Sequence, residues 1–177
     1  MPTIFTHAAA AAAIGAAFQT PKSSWKFWLL GVLCGIIPDF DVIGFRFGVQ
    51  YGDFLGHRGF SHSIVFAIIL AGIFSVLLFP EEGWAFKRWM LFGYFFLATI
   101  SHPLLDMLTS GGLGVAIFAP FDNTRYFFPV TPIRVAPFSA RALLTERGFA
   151  VLKSEFLWVW IPAIVFVVGA VFFKRLK

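Results

Sequence analysis

Four histidines and three aspartates fall in short blocks along the 177-residue chain: Thr6-His7, Pro38-Asp39-Phe40-Asp41, His57-Arg58-Gly59-Phe60-Ser61-His62-Ser63 and Ser101-His102-Pro103-Leu104-Leu105-Asp106. Neutral imidazole and carboxylate are good ligands for zinc, iron or manganese. Calcium or magnesium alone would favour an all-oxygen shell, so four histidines argue against them. The set exceeds what one tetrahedral ion needs. It leaves room for one to three ions, or for carboxylates that orient imidazoles from behind. His102 and Asp106 are four apart and share one face of a helix. Pro103 disfavours helix at His102, so the segment is expected to kink there or to start a new helix. Asp39 and Asp41 follow Pro38, and an extended turn would face both to one centre. His57 and His62 need a loop to bring them together. Singly, each residue has a blander reading: a histidine against lipid headgroups, an aspartate capping a helix, Arg58 on a lipid phosphate. Those readings suit each residue alone and fit the set poorly.

The elements that must position these groups are apolar. Hydrophobic residues make up 59% of the chain and charged residues 13%, and mean hydropathy is +0.82. A soluble domain averages roughly 45–50% apolar and about 25% charged. Apolar runs over residues 4–18, 25–44, 63–79, 89–108 and 156–173 predict an all-α integral membrane bundle of about five spans, folded as one domain over residues 1–177. A crossing helix needs about 20 residues, so the first run is marginal, and so is the second if it stops near Ile37. The run at the N-terminus has no Lys or Arg before it, which suits a retained span better than a cleaved signal. A polar loop covers about 109–155; loops of that length are usually functional or mobile. The lone Cys34 permits no internal disulfide and reads as a buried small hydrophobe.

Charge sets the expected topology. Lys22 and Lys26 lie between spans one and two, Lys87 and Arg88 between three and four, and Lys174, Arg175 and Lys177 after span five. Five spans put all of them on one side, which the positive-inside rule makes cytoplasmic. The other side carries as many basic residues, but in long loops, where the rule is weak. The histidine and aspartate blocks then share the extracytoplasmic face of the cell membrane. Trp25, Trp28, Trp84 and Trp89 at one face, and Trp158 and Trp160 at the other, read as interface anchors. The net charge of +5 comes with no dense basic run, so the lipid bilayer is the expected partner and nucleic acid is not.

Together the four blocks resemble the pattern of the YdjM-type membrane-bound proteins of bacteria and archaea, over roughly residues 1 to the mid-120s. Ala11 departs from the glycine that the family often has four residues after the first histidine. The resemblance implies a metal-dependent hydrolase, and a more distant similarity to the zinc-dependent phospholipase C and P1-type nuclease group, whose histidine–aspartate pair three residues between is matched by His102 and Asp106. The expected site then has His7, Asp39, Asp41, His57, His62, His102 and Asp106 as ligands, with zinc or another transition metal. Asp41 would position or deprotonate a bound water, and Arg58 would clamp a phosphate oxygen. Arg125 and Arg134 would hold the headgroup of an amphiphilic phosphoester. A proton- or metal-coupled transporter and a non-catalytic, metal-braced binding protein are the rival expectations. One-sided clustering of the polar residues counts against the transporter.

Overall fold

The computed structural model describes residues 1–20, 23–80, 86–137 and 140–176. Lys22, Trp84 and Lys177, which bear on the expected topology, lie outside them. The helices are α1 (Ile4–Phe18), α2 (Trp25–Ile36), α3 (Ile64–Leu77), α4 (Phe86–Met107), α5 (Glu146–Glu155) and α6 (Ile161–Arg175). A 3-10 segment, Ile37–Phe47, prolongs α2, and a π turn, Phe156–Trp160, joins α5 to α6. Five helical rods result, and the described residues contain no strand.

Three rods are long and apolar enough to cross a membrane: Trp25–Phe47, Lys87–Met107 and Glu146–Arg175. The other two apolar helices, α1 and α3, have 15 and 14 residues. At 1.5 Å per residue each is about 22 Å long, short of a hydrocarbon core of about 30 Å. Of the five expected spans, these two are too short to cross that core unaided.

Two local readings change, and a third proline has an effect the sequence did not announce. Pro38 sits in the first turn of the 3-10 segment, where its missing N–H costs nothing, so Asp39 and Asp41 stand on a tight helix and not on an extended turn. Pro103 lies inside α4, which runs on to Met107 without a break. Pro162 has its effect one turn earlier. It has no N–H to return to the Trp158 carbonyl, and the Ile161 N–H reaches back five residues to Phe156 O. An i→i−5 bond of this kind defines a π turn.

Small residues let α1 sit deep in the bundle. A Cβ at Gly35 would lie 2.7 Å from Ala11 Cβ and 2.9 Å from the His7 carbonyl oxygen. Backbone approach of this kind is how helices pack where lipid removes the usual hydrophobic drive. It also accounts for the alanine at 11, which faces a position with no side chain. Gly35→Val is expected to push α1 off α2 and destabilise the protein by about 1–3 kcal/mol, read as a lower unfolding temperature in detergent. Below this contact, Phe27, Tyr94, Phe95 and the buried Cys34 fill the core.

Cations stitch the end of the bundle away from the histidines. Lys26 donates to the Leu78 carbonyl, Arg88 donates to Phe79 O at 3.1 Å, and Lys174 donates to Ala16 O and Gln19 O at 2.8 and 2.7 Å. Each caps helix carbonyls that would otherwise end in lipid or at its edge. Trp25, Trp89 and Trp158 are exposed, as anchors should be. Trp160 is not an anchor in that sense, because its indole N–H turns inward to Thr6 Oγ1 at 2.8 Å.

Candidate metal centre

All seven expected ligands converge at the other end of the bundle. α1 supplies His7, the 3-10 segment Asp39 and Asp41, the 51–63 loop His57 and His62, and α4 His102 with Asp106. The loop is a run of tight turns. Gly59 N–H bonds Gly56 O, Phe60 N–H bonds Phe54 O, and His62 N–H bonds Gly59 O. A Cβ at Gly59 would sit 2.3 Å from Phe54 O, so only glycine lets the loop fold back. Arg58 holds φ at +64°, a left-handed conformation that costs a non-glycine residue of order 1 kcal/mol.

The donor atoms have the spacing that a tetrahedral ion requires. Ligands about 2.1 Å from such an ion lie about 3.4 Å from one another. His102 Nε2 is 3.2 Å from His62 Nε2 and 3.3 Å from Asp39 Oδ1. His62 Nε2 is 3.7 Å from both Asp39 Oδ1 and Asp106 Oδ2. Asp39, His62, His102 and Asp106 thus form one four-ligand group. His7 stacks on His102 with ring centroids 3.6 Å apart and brings Nε2 to 3.4 Å from Asp106 Oδ1.

Hydrogen bonding points the same way. Both nitrogens of His7 and both oxygens of Asp39 and of Asp106 are buried without an aligned hydrogen bond. Buried polar atoms are normally satisfied, so a concentration of orphans marks a missing partner. His102 Nδ1 lies 2.7 Å from Gly35 O; a carbonyl can only accept, which fixes the proton on Nδ1 and aims the Nε2 lone pair into the cluster. Gly35 therefore both admits α1 and orients a ligand.

Charge is also out of balance. Asp39, Asp41 and Asp106 are 7%, 5% and 0% exposed at the side chain, and among the described residues Arg58 is the one Lys or Arg side chain in an ion pair with them. Counting the side chains of the described residues, with neutral histidines, the cluster carries two negative charges in excess. Excess charge away from water is costly, and one divalent cation balances it. His62, which lies outside the spanning helices, takes up part of the excess. Burial opposes its charge, but Asp39 and Asp41 beside it prevail and push its pKa up to about 9. In metal-free protein this protonated His62 adds stability that is complete below the ordinary value near 6.5 and lost as pH rises through 9. A cation that takes the same position must displace the proton. Calorimetric zinc titrations near pH 7.5 in buffers of different ionisation enthalpy are expected to show release of about one proton per ion.

Three expected roles look different in the fold. Asp41 Oδ1 lies 2.8 Å from His57 Nδ1; its Oδ2 accepts from Ser61 Oγ at 2.7 Å and from the Arg58 amide at 3.1 Å, and is 3.2 Å from His62 Nδ1. It grips two imidazoles from behind, leaving little freedom to act on water. Asp41, His57 and His62 form a second possible ligand group, but it competes for these same contacts. Arg58, expected at a phosphate, is 1% exposed and points inward. Its Nε lies 2.8 Å from Asp106 Oδ2, and its other nitrogens donate to Gly111 O and Thr109 Oγ1 at 2.9 and 3.0 Å. Arg125 donates to His57 O at 2.9 Å and Tyr51 O at 3.0 Å, pinning the loop. Arg134 is exposed, its amide bonded to Ser154 Oγ, and the fold does not bring it into the cluster.

The polar segment after α4 is a cap over the loop. Ala116 N–H bonds Arg58 O, Ile64 N–H bonds Ile117 O, and Val115 pairs with Tyr126. Glu155, 1% exposed, was not among the expected site residues. It accepts from the Thr3 amide and hydroxyl at 2.6 and 2.7 Å and from Thr6 Oγ1 at 2.7 Å, which fixes α1 one residue before His7. Its signal in the sequence was an acid on the threshold of the last apolar run.

Comparison with known proteins agrees with the membrane architecture. The family model described as "YdjM inner membrane protein" matches residues 1–177. The chain is 37% identical to "Inner membrane protein YbcI" of Escherichia coli (strain K12), over 99% of each chain. No solved structure matches, and neither match extends to the phospholipase C and P1-type nuclease group. A whole-chain family match, a full-length relative and a bundle of apolar helices agree: the chain belongs to the YdjM family of inner membrane proteins.

Proposed function

We propose that the cluster binds a divalent transition metal, with zinc the first candidate, and that the protein is a membrane-bound hydrolase of a lipid or similar amphiphilic phosphoester. The observation that carries this reading is the 3.2–3.7 Å spacing of donor atoms on Asp39, His62, His102 and Asp106, in a pocket with excess negative charge. Zinc at such a centre lowers the pKa of a bound water to about 7 and polarises a phosphoryl oxygen. The chain's own residues do the positioning. Asp41 fixes His57 and His62, Gly35 O fixes His102, and Arg58 holds Asp106 against rotation. With the stitched cationic end in the cytoplasm, the centre faces the extracytoplasmic side, where a lipid can present its headgroup while its chains stay in the bilayer.

A second reading has an observation of its own. The side chains of the four-ligand group are between 0% and 7% exposed, and closed metal sites are more often structural than catalytic. In that case the ion braces the bundle and no ester is cleaved. Mass spectrometry of purified protein in detergent is expected to give near-stoichiometric zinc, absent from a His57→Ala/His102→Ala double mutant. The same zinc-loaded protein is then assayed on phospholipids and on bis(p-nitrophenyl) phosphate. Turnover that disappears with the metal supports the hydrolase. Bound metal without turnover on any phosphoester, and unfolding on chelation, supports the brace.

A further inference from the structure

An open cavity of about 510 Å³ lies between the start of α1 and the outer half of the last rod. Thr3, Phe5, Phe149, Leu152, Phe156 and Trp160 line it, with Lys153 at its edge. The positions 149, 152, 156 and 160 recur at three- and four-residue spacing, one stripe of a helix. The π turn lies within the stripe, and both its ends, Phe156 and Trp160, face the cavity. Single π turns of this kind occur often at functional sites. Glu155 also borders the cavity, but its carboxylate is tied to Thr3 and Thr6, so the walls are apolar.

The polar edge is cationic. Lys153 is exposed and is in no ion pair among the described residues. From Lys153 to Trp160 the helix descends about 10 Å, from the level of headgroups into the acyl region. We propose that this groove holds one anionic phospholipid, with an acyl chain along the aromatic stripe and its phosphate at Lys153. A cation above apolar walls, with the bordering carboxylate of Glu155 held by Thr3 and Thr6, favours a lipid of net negative charge over a zwitterionic one, whose own ammonium competes for the phosphate. The site is separate from the metal centre and stands whether or not that centre is catalytic.

The test reconstitutes the protein in nanodiscs with equal phosphatidylglycerol and phosphatidylethanolamine of the same chains, and counts retained lipid by native mass spectrometry. One phosphatidylglycerol per chain is expected, favoured at least fivefold. Leu152→Trp, which fills the groove, is expected to lose it. Lys153→Glu is expected to abolish the preference between headgroups, and as an exposed position it remains informative if Leu152→Trp fails to fold. Unfolding temperature and metal content establish that each variant is intact. Equal retention of the two lipids by the wild type, or retention unchanged in both variants, overturns the proposal. So does a dimer that Leu152→Trp dissociates, which would assign the groove to a second copy of the chain.

Discussion

Asp106→Ala is expected to strip the protein of its metal and to cost about 3–5 kcal/mol of stability. Asp106 has two tasks at once. One oxygen faces His62 and Arg58, the other faces His7. Truncation removes a ligand and leaves the Arg58 guanidinium, 1% exposed, as a buried charge with no counter-ion. The two losses separate experimentally. Asp106→Asn keeps the volume and a carbonyl oxygen for Arg58, so it should lose the metal but recover much of the stability. Metal content and thermal unfolding in the same detergent read both. Near-stoichiometric metal in Asp106→Ala would show that the four-ligand group is misassigned.

Arg58→Ala should separate stability from metal affinity in the opposite sense. Without metal, the substitution leaves Asp106 buried and unpaired, and stability should fall by about 3–5 kcal/mol. The same substitution makes the cluster one charge more negative. A charge about 5 Å away, in an effective dielectric near 20, interacts by about 3 kcal/mol, so cation affinity should rise by tenfold or more. Competition with a fluorescent chelator measures the affinity, and chemical unfolding with and without zinc measures the stability. Arg58→Gly should be more stable than Arg58→Ala, because glycine adopts the +64° φ without strain. Metal-free stability unchanged in Arg58→Ala would remove the arginine from the internal role and return it to the expected phosphate clamp.

The architecture was legible because lipid imposes it. Long apolar runs admit little besides helices, and the five runs became the five rods. The grouping of histidines and aspartates at one end was legible for a related reason: successive apolar runs joined by polar connections alternate in direction, which fixes which ends of the runs lie together. Roles within the site were not. Asp41 reads as a base and Arg58 as an anion clamp by residue type alone, since type does not record which partners a side chain meets. Glu155 was missed because its partners, Thr3 and Thr6, lie about 150 positions away. The π turn was missed because Pro162 exerts its effect upstream, on a carbonyl that no local pattern marks.

The bonds from Thr3 and Thr6 to Glu155, and from Trp160 to Thr6, also order events in time. Their partners are separated by 149 to 154 positions, most of the length of the chain. At about 5–20 residues per second of synthesis, the first helix waits on the order of ten seconds for the last rod to emerge. Until then α1 is held by its packing on α2 and α4, and the bonds to Thr3 and Thr6 that complete its register are absent. The bonds that finish the candidate centre are therefore among the last to form as the chain enters the membrane.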